Sequence, residues 1–352
     1  MIKKVFWKNK RVLITGHTGF KGSWLSLWLK SLGAHLYGIS LPLSAENLFF
    51  LKLKIKNEID NYYVDIRNSK KIYTIINKIK PQIIFHMAAQ PLVRNSYIDP
   101  INTYTTNIIG TANILDSSKL VKNLKVLINV TSDKCYENTE LNKSYKESDI
   151  LGGSDPYSSS KSCSEIITSA FKKSYFNDKN IGIATVRAGN VIGGGDNSTD
   201  RLIPDILRSI KLNNTLKLRF SKSIRPWQHV LEPLSGYLIL AEKLFCQPKK
   251  YSGAWNFGPN NSDNKNVLWI VNYFNRQLKK KIKYQIDKKD NLHETKLLKL
   301  DISKAIKKLN WKPTWNLKTA IKKVLEWQET YKNGVNIREI SLKQIKDFTS
   351  SN

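Results

Sequence analysis

The chain has 352 residues, 41% of them hydrophobic, enough for one large or two coupled domains around a sizeable core. Its 58 Lys and Arg against 28 Asp and Glu give a formal charge of +30, but the lysines are spread along the whole length rather than gathered in a tail or stripe, which favours compositional bias and attraction to an anionic small molecule over nucleic-acid binding. Three distant cysteines and five scattered histidines exclude a disulfide framework and a zinc site, and neither a secretory signal nor an apolar run near the ~20 residues of a membrane helix is found, so the expected setting is the cytoplasm.

The first element is a short β-branched run, Arg11 to Thr15. A turn follows with glycines at Gly16, Gly19 and Gly22, and then an apolar pattern at Phe20, Trp24, Leu27 and Trp28. Strand, glycine turn and helix in that order predict a dinucleotide site. Gly16 permits the tight turn, Gly19 lets a pyrophosphate approach the backbone, and Gly22 lets the helix pack on the sheet. The helix start offers free N–H groups to phosphate. Gly33 ends the helix and His35 to Ile39 reads as a second strand. An acid expected at its end for a ribose hydroxyl is absent; Ser40 stands there.

Tyr62 to Arg67 reads as a third strand delivering Asp65. That carboxylate is either an acceptor for adenine or the N-cap of a helix over 69–80. Gln82 to His86 is a fourth strand, followed by Met87-Ala88-Ala89-Gln90, where small residues admit a cofactor. A long helix is expected over Asp99 to Leu120 and a fifth strand over Lys125 to Thr131. The alternation of strands and helices, with continuously apolar strands, predicts an α/β fold: a doubly wound parallel Rossmann sheet with ligand outside the strands' carboxyl ends. Strand five then delivers Thr131-Ser132-Asp133-Lys134 into that crevice. Asp133 suits a proton donor, and Lys134 a base or an electrostatic partner.

Asp155-Pro156 opens a helix carrying Tyr157 and Lys161, four apart and on one face. A nearby ammonium favours the phenolate, so Lys161 is expected to lower the pKa of Tyr157 toward the range of a general base. Beyond it, Ile181 to Arg187 reads as a sixth strand. Helices are expected over 202–212, 234–245, 267–277, 301–309 and 317–331. The division is a cofactor domain over 1–188 and a smaller substrate domain over 189–352, with some chain crossing back to the sheet.

Three motifs in this order, Gly16-x-x-Gly19-x-x-Gly22, Ser132-Asp133-Lys134 and Tyr157-x-x-x-Lys161, resemble the extended short-chain dehydrogenase/reductase family. Within it the likeness is to the sugar-nucleotide 4,6-dehydratases. Further matching stretches are 86–94, 131–138, 187–196 and 225–230. The Asp133-Lys134 pair is typical of members acting on CDP-glucose; those acting on dTDP-glucose carry Asp-Glu. The resemblance implies NAD as cofactor and CDP-glucose as substrate. NAD would be held by Gly16, Thr18, Gly19, Phe20, Gly22, Ser40, Asp65, Ile66, Ala88, Ala89, Gln90, Thr131, Tyr157 and Lys161. Catalysis would fall to Tyr157, Lys161, Ser132, Asp133 and Lys134. Asn190, Arg201, Arg225, His293 and Glu294 would bind the nucleotide sugar. The resemblance also implies a second-half strand at 254–258 in the smaller domain, and a homodimer or dimer of dimers paired through the helices over 99–120 and 157–175. No metal, nucleic acid or membrane is implied.

Overall fold

The protein's structure, a computed structural model, describes residues 2–140, 142–278, 281–287 and 297–351. A 7-stranded sheet carries the fold: β1 (Arg11–Thr15), β2 (His35–Ser40), β3 (Asp60–Tyr63), β4 (Ile83–His86), β5 (Val126–Val130), β6 (Gly182–Ala188) and β7 (Gly253–Phe257). Their order is β7-β6-β5-β4-β1-β2-β3, and every neighbouring pair is parallel. Alternate side chains enter opposite layers. Val12 and Ile14 of β1 join one core and Leu13 the other; Phe85 and Ile84 of β4 divide likewise. Burial on both faces is why these strands read as unbroken apolar runs.

Helices cover both faces. On one lie α1 (Phe20–Ser31) and, later, a helix over Leu231–Cys246. On the other lie α2 (Ser69–Ile79) and α3, which runs through Pro100–Tyr104, a π-turn at Thr105–Ile109 and Gly110–Ser118. The catalytic candidates sit on α4 (Pro156–Phe171). The chain leaves β1 toward β2 on one side and later returns to β4 on the other, so a crevice opens between the carboxyl ends of β1 and β4. A third core, around Ile206 of α5 (Leu202–Leu212), Trp227, Phe274 and Ile321, forms a smaller lobe above that edge.

Three elements differ from expectation. β3 begins at Asp60 and stops at Tyr63, short of Asp65. It is an edge strand paired only with β2, which itself ends at Ser40 opposite Tyr63. α2 is capped by Asn68, which accepts from the Lys71 amide, and not by Asp65. The stretch expected as a strand of the smaller domain is β7, and it belongs to the main sheet, with Gly253 to Phe257 paired along Ala184 to Ala188 of β6. The reason is the crossover helix α6 (Leu231–Cys246). Its Tyr237 packs edge-on against Phe257 at 5.5 Å, which seats β7 beside β6. A last helix, over Ile337–Ser350, adds to those expected; its Phe348 packs against Trp28 of α1.

Candidate active site

The glycine turn closes around backbone. Gly16 has φ +73°, and a Cβ there would lie 2.8 Å from the Ala88 nitrogen, so the turn after β1 and the small residues after β4 are mutually required. A Cβ on Gly22 would lie 2.1 Å from the Gly16 carbonyl oxygen. Gly22→Ala is therefore expected to cost about 1–3 kcal/mol by overpacking, read as a lower urea midpoint with unchanged slope; an unchanged midpoint would contradict this packing. Gly19 is the N-cap of α1 and no side chain caps the helix start, so its first-turn amides are left for an anion. Thr15 braces the opposite wall: its hydroxyl accepts from the Met87 and Ala88 amides and pairs with His86 at 2.7 Å.

One cavity of about 890 Å³ runs from this turn into the smaller lobe. Its wall includes all the predicted residues of the glycine turn together with Ser40, Asp65, Ile66, Ala88 and Ala89. Thr131, Ser132, Asp133, Lys134, Tyr157 and Lys161 line its centre, and Asn190, Arg201 and Arg225 its far side. Gln90 does not reach the cavity. Its amide is spent on Leu92 and the Thr103 hydroxyl, and its backbone is held by Asn107 from the π-turn of α3. It supports the wall that Ala88 and Ala89 form. His293 and Glu294 lie outside the described residues. Asp65 is tied to Arg67 at 2.6 Å, and that hydrogen-bonded pairing holds its carboxyl below the usual range.

Local sequence explains how the reacting groups meet. Asp155 caps α4 through the Ser158 amide at 2.9 Å, and Pro156 occupies the first turn where its missing N–H costs nothing. Tyr157 and Lys161 then follow on one face, both buried. Opposite them, Ser132 accepts from the Lys134 amide and starts a single 3₁₀ turn, which aims Asp133 inward. The Ser132 hydroxyl donates to Asp133 at 3.1 Å and also engages the Tyr157 phenol. The other Asp133 oxygen is buried with no hydrogen-bond partner among the described residues.

The electrostatics overturn one expectation. Burial pushes the Tyr157 phenol up to about 12, against the Ser132 hydrogen bond, and Lys161 does not bring it down. Lys161 is itself drawn down to about 7, by burial and then by the charge of Lys21. Desolvation outweighs an i,i+4 ammonium when both groups are inside. Burial also raises Asp133 above the usual carboxylate range, against Lys134, the Ser132 hydrogen bond, Arg225 and Lys21. Lys21 is a residue that the sequence motifs did not single out. It lines the cavity from the first turn of α1, and burial followed by repulsion from Arg201 draws it down to about 8. Its place between the second and third glycines of the turn is the signal that marks it. Arg201 pairs with Asp196 at 3.1 Å, while Arg225 is buried on the wall and donates to the Ile224 carbonyl. The site thus sets one buried carboxyl, Asp133, among Lys21, Lys134 and Arg225.

A family model described as GDP-mannose 4,6 dehydratase matches residues 13–324. The chain is 46% identical over 356 aligned positions to a CDP-glucose 4,6-dehydratase of Salmonella typhimurium, covering all of this chain and 99% of that one. Among solved structures it resembles a dTDP-glucose 4,6-dehydratase of Bacillus anthracis in complex with NAD, with TM-score 0.77 and 22% identity over 94% of this chain and 99% of the other. An epimerase of Methanothermobacter thermautotrophicus superposes with TM-score 0.80 at 20% identity, over 96% of each chain. The chain belongs to the GDP-mannose 4,6 dehydratase family, within the extended short-chain dehydrogenases/reductases.

Proposed function

We propose that this protein is a CDP-glucose 4,6-dehydratase, converting CDP-D-glucose to CDP-4-keto-6-deoxy-D-glucose and water with NAD as its resident cofactor. The observation that carries the reading is the Asp133-Lys134 pair lining one cavity with Tyr157 and Lys161, in a chain so similar over its full length to the Salmonella enzyme. The uncapped start of α1 and the glycine cradle fit a pyrophosphate. Thr18, Phe20, Ala88, Ala89 and Thr131 would line the cofactor, Asp65 and Ile66 its adenine, and Ser40 the ribose. The chemistry supplied by bound NAD is reversible hydride exchange with the sugar, accepted at C4 and returned at C6.

The protein's own groups handle the protons. Tyr157 takes the proton of the 4-hydroxyl, with Ser132 hydrogen-bonded to the same oxygen and Lys161 balancing the phenolate charge. The 4-ketone acidifies the C5 proton. Asp133, whose pKa burial raises, donates to the departing C6 oxygen, which leaves as water. Lys134 is the proposed C5 base: it takes the C5 proton as the C6 oxygen leaves and returns a proton to C5 as the hydride reaches C6. Arg201 and Arg225, with Asn190, hold the nucleotide, guanidinium geometry suiting the pyrophosphate. Lys134→Met is expected to retain C4 oxidation and lose about 10²-fold in elimination. The readout is incorporation of solvent deuterium at C5; incorporation at the wild-type rate would remove Lys134 from the role.

A panel of CDP-, dTDP-, GDP- and UDP-hexoses tests the function. The expected result is a 4-keto-6-deoxy product from CDP-glucose in preference to the others. A UDP-glucose 4-epimerase of Mycoplasma genitalium is also similar, at 26% identity over 65% of this chain and 71% of that one. A C4 epimerase needs no group to expel water, so Asp133 favours dehydration; a product inverted at C4 with its 6-hydroxyl intact would establish the epimerase instead.

A second copy of the chain is the proposed partner. Ile98 is 81% exposed, Ile101 70% and Ile166 55%, around α3 and α4, an apolar exposure that pairing these helices across a two-fold axis would cover. Further along α4, Ala170 is exposed, whereas Ile167 and Phe171 pack partly into the core beneath. We place the enzyme in the cytoplasm: its cysteines are free, and no helix among the described residues is long and apolar enough to cross a membrane.

A further inference from the structure

Behind the cavity lies a buried charged unit that no step of the proposed reaction uses. Arg187 of β6 meets Glu165 of α4 in a two-pronged pair, Nε to Oε1 at 2.9 Å and Nη2 to Oε2 at 2.8 Å, with both side chains under 5% exposed. Glu165 also accepts from the hydroxyls of Thr131 and Thr185. The third guanidinium nitrogen donates to the Tyr136 hydroxyl at 2.7 Å, which donates on to Asn256 of β7 at 2.7 Å. Glu165, Arg187, Tyr136 and Asn256 are all absent from the cavity wall.

The connections have a pattern. Thr131 and Tyr136 are the two ends of the segment that carries Ser132, Asp133 and Lys134. Both ends are therefore held by one ion pair. Glu165 stands four residues beyond Lys161 and eight beyond Tyr157, on the same helix and nearly the same face. Ser162, next to Lys161, donates to the Cys135 carbonyl at 2.8 Å and adds a further tie between the same two pieces. A buried ion pair is a weak way to stabilise a fold, because apolar residues of similar volume do as well or better. What it does supply is direction: two fixed prongs between the partners, with two threonine hydroxyls donating to Glu165 and Arg187 donating to the Tyr136 hydroxyl.

We propose that the Glu165–Arg187 pair is a positioning clamp that sets the Ser132-Asp133-Lys134 segment against Tyr157 and Lys161. It takes no part in bond making. It fixes the separation between the group that starts the reaction and the group that expels water, and a misplacement of about 1 Å between such groups costs on the order of 10²-fold in rate. The inference rests on the dehydratase reading for its kinetic consequence, though not for its structural one.

Two variants test it. Tyr136→Phe removes one hydroxyl from the clamp and leaves the ion pair. The double variant Glu165→Leu with Arg187→Met removes the charges and keeps the volume, so that neither leaves a lone buried charge. Expected are a kcat about 10-fold lower for the first and about 10²-fold lower for the second, with KM for CDP-glucose within about threefold of wild type. A role in folding alone would lower the yield or melting temperature and leave kcat per folded molecule unchanged. Amide hydrogen exchange over residues 131–136, measured without substrate, should quicken at least about tenfold in both variants. Exchange as slow as wild type would overturn the clamp whether or not the wild-type enzyme dehydrates CDP-glucose. A wild-type kcat in either folded variant would overturn its role in the reaction. Should the double variant fail to fold, Tyr136→Phe decides both points alone.

Discussion

Tyr157→Phe is expected to lower turnover of CDP-glucose by at least about 10³-fold, within the range for removing a positioned general base. The substitution deletes one oxygen and keeps the ring in its buried seat at the start of α4. The fold should not change, since the Tyr157 amide is held by the Ser96 hydroxyl at 3.1 Å and the helix is capped by Asp155. The first step should fail, so neither a 4-keto species nor bound NADH, read by its absorbance, should accumulate on mixing with substrate. Normal accumulation would mean that another group takes the 4-hydroxyl proton. The high pKa of the phenol in the ligand-free protein makes this a demanding role. In the proposed reaction the proton would leave Tyr157 only when charge in the occupied site favours phenolate, which is the task proposed for Lys161. With Lys161 drawn down to about 7 in the free protein, it is an ammonium below that pH and loses its charge above it. The free enzyme should therefore lose kcat/KM on the alkaline side as Lys161 deprotonates, and Lys161→Met should remove that limb of the profile.

Asp133→Asn separates the second half of the reaction from the first. The amide fills the same space beside Ser132 but cannot supply a proton to a departing hydroxyl. Oxidation at C4 is expected to persist, while water loss falls about 10²–10⁴-fold, the usual contribution of a positioned acid. The signature is a 4-keto, 6-hydroxy nucleotide sugar building up on the enzyme. Dehydration at the wild-type rate would exclude Asp133 as the acid. The role fits what surrounds the carboxyl: one oxygen bound to Ser132, the other buried with no partner among the described residues, and burial raising its pKa against Lys134, Ser132, Arg225 and Lys21.

Much of this architecture is legible in the residues themselves. The strands are β-branched runs buried on both faces, so their apolar continuity announces them. The helices over 202–212 and 267–277 begin and end where their apolar spacing does. The glycine turn, the Ser132-Asp133-Lys134 segment and the Tyr157–Lys161 pair are short motifs whose residues converge on one cavity. What escapes notice depends on three-dimensional neighbours. Ala254-Trp255-Asn256-Phe257 reads as a strand, yet only the path of α6 decides which strand it joins. Spacing places Lys161 beside Tyr157 but carries no information on how dry both become, and dryness sets the sign of both pKa shifts. Arg187 opens one of the matching stretches and Glu165 belongs to none, and nothing in the sequence pairs the two, 22 residues apart on a helix and a strand. Their partnership emerges only when β6 and α4 are packed together.

In the proposed reaction the hydride taken from C4 is the one returned to C6 within a single site. CDP-glucose deuterated at C4 tests this most directly, with the product examined by NMR and mass spectrometry. The expected product is CDP-4-keto-6-deoxyglucose with the deuterium at C6. A product without the label at C6, or a sugar that keeps its 6-hydroxyl, would contradict it.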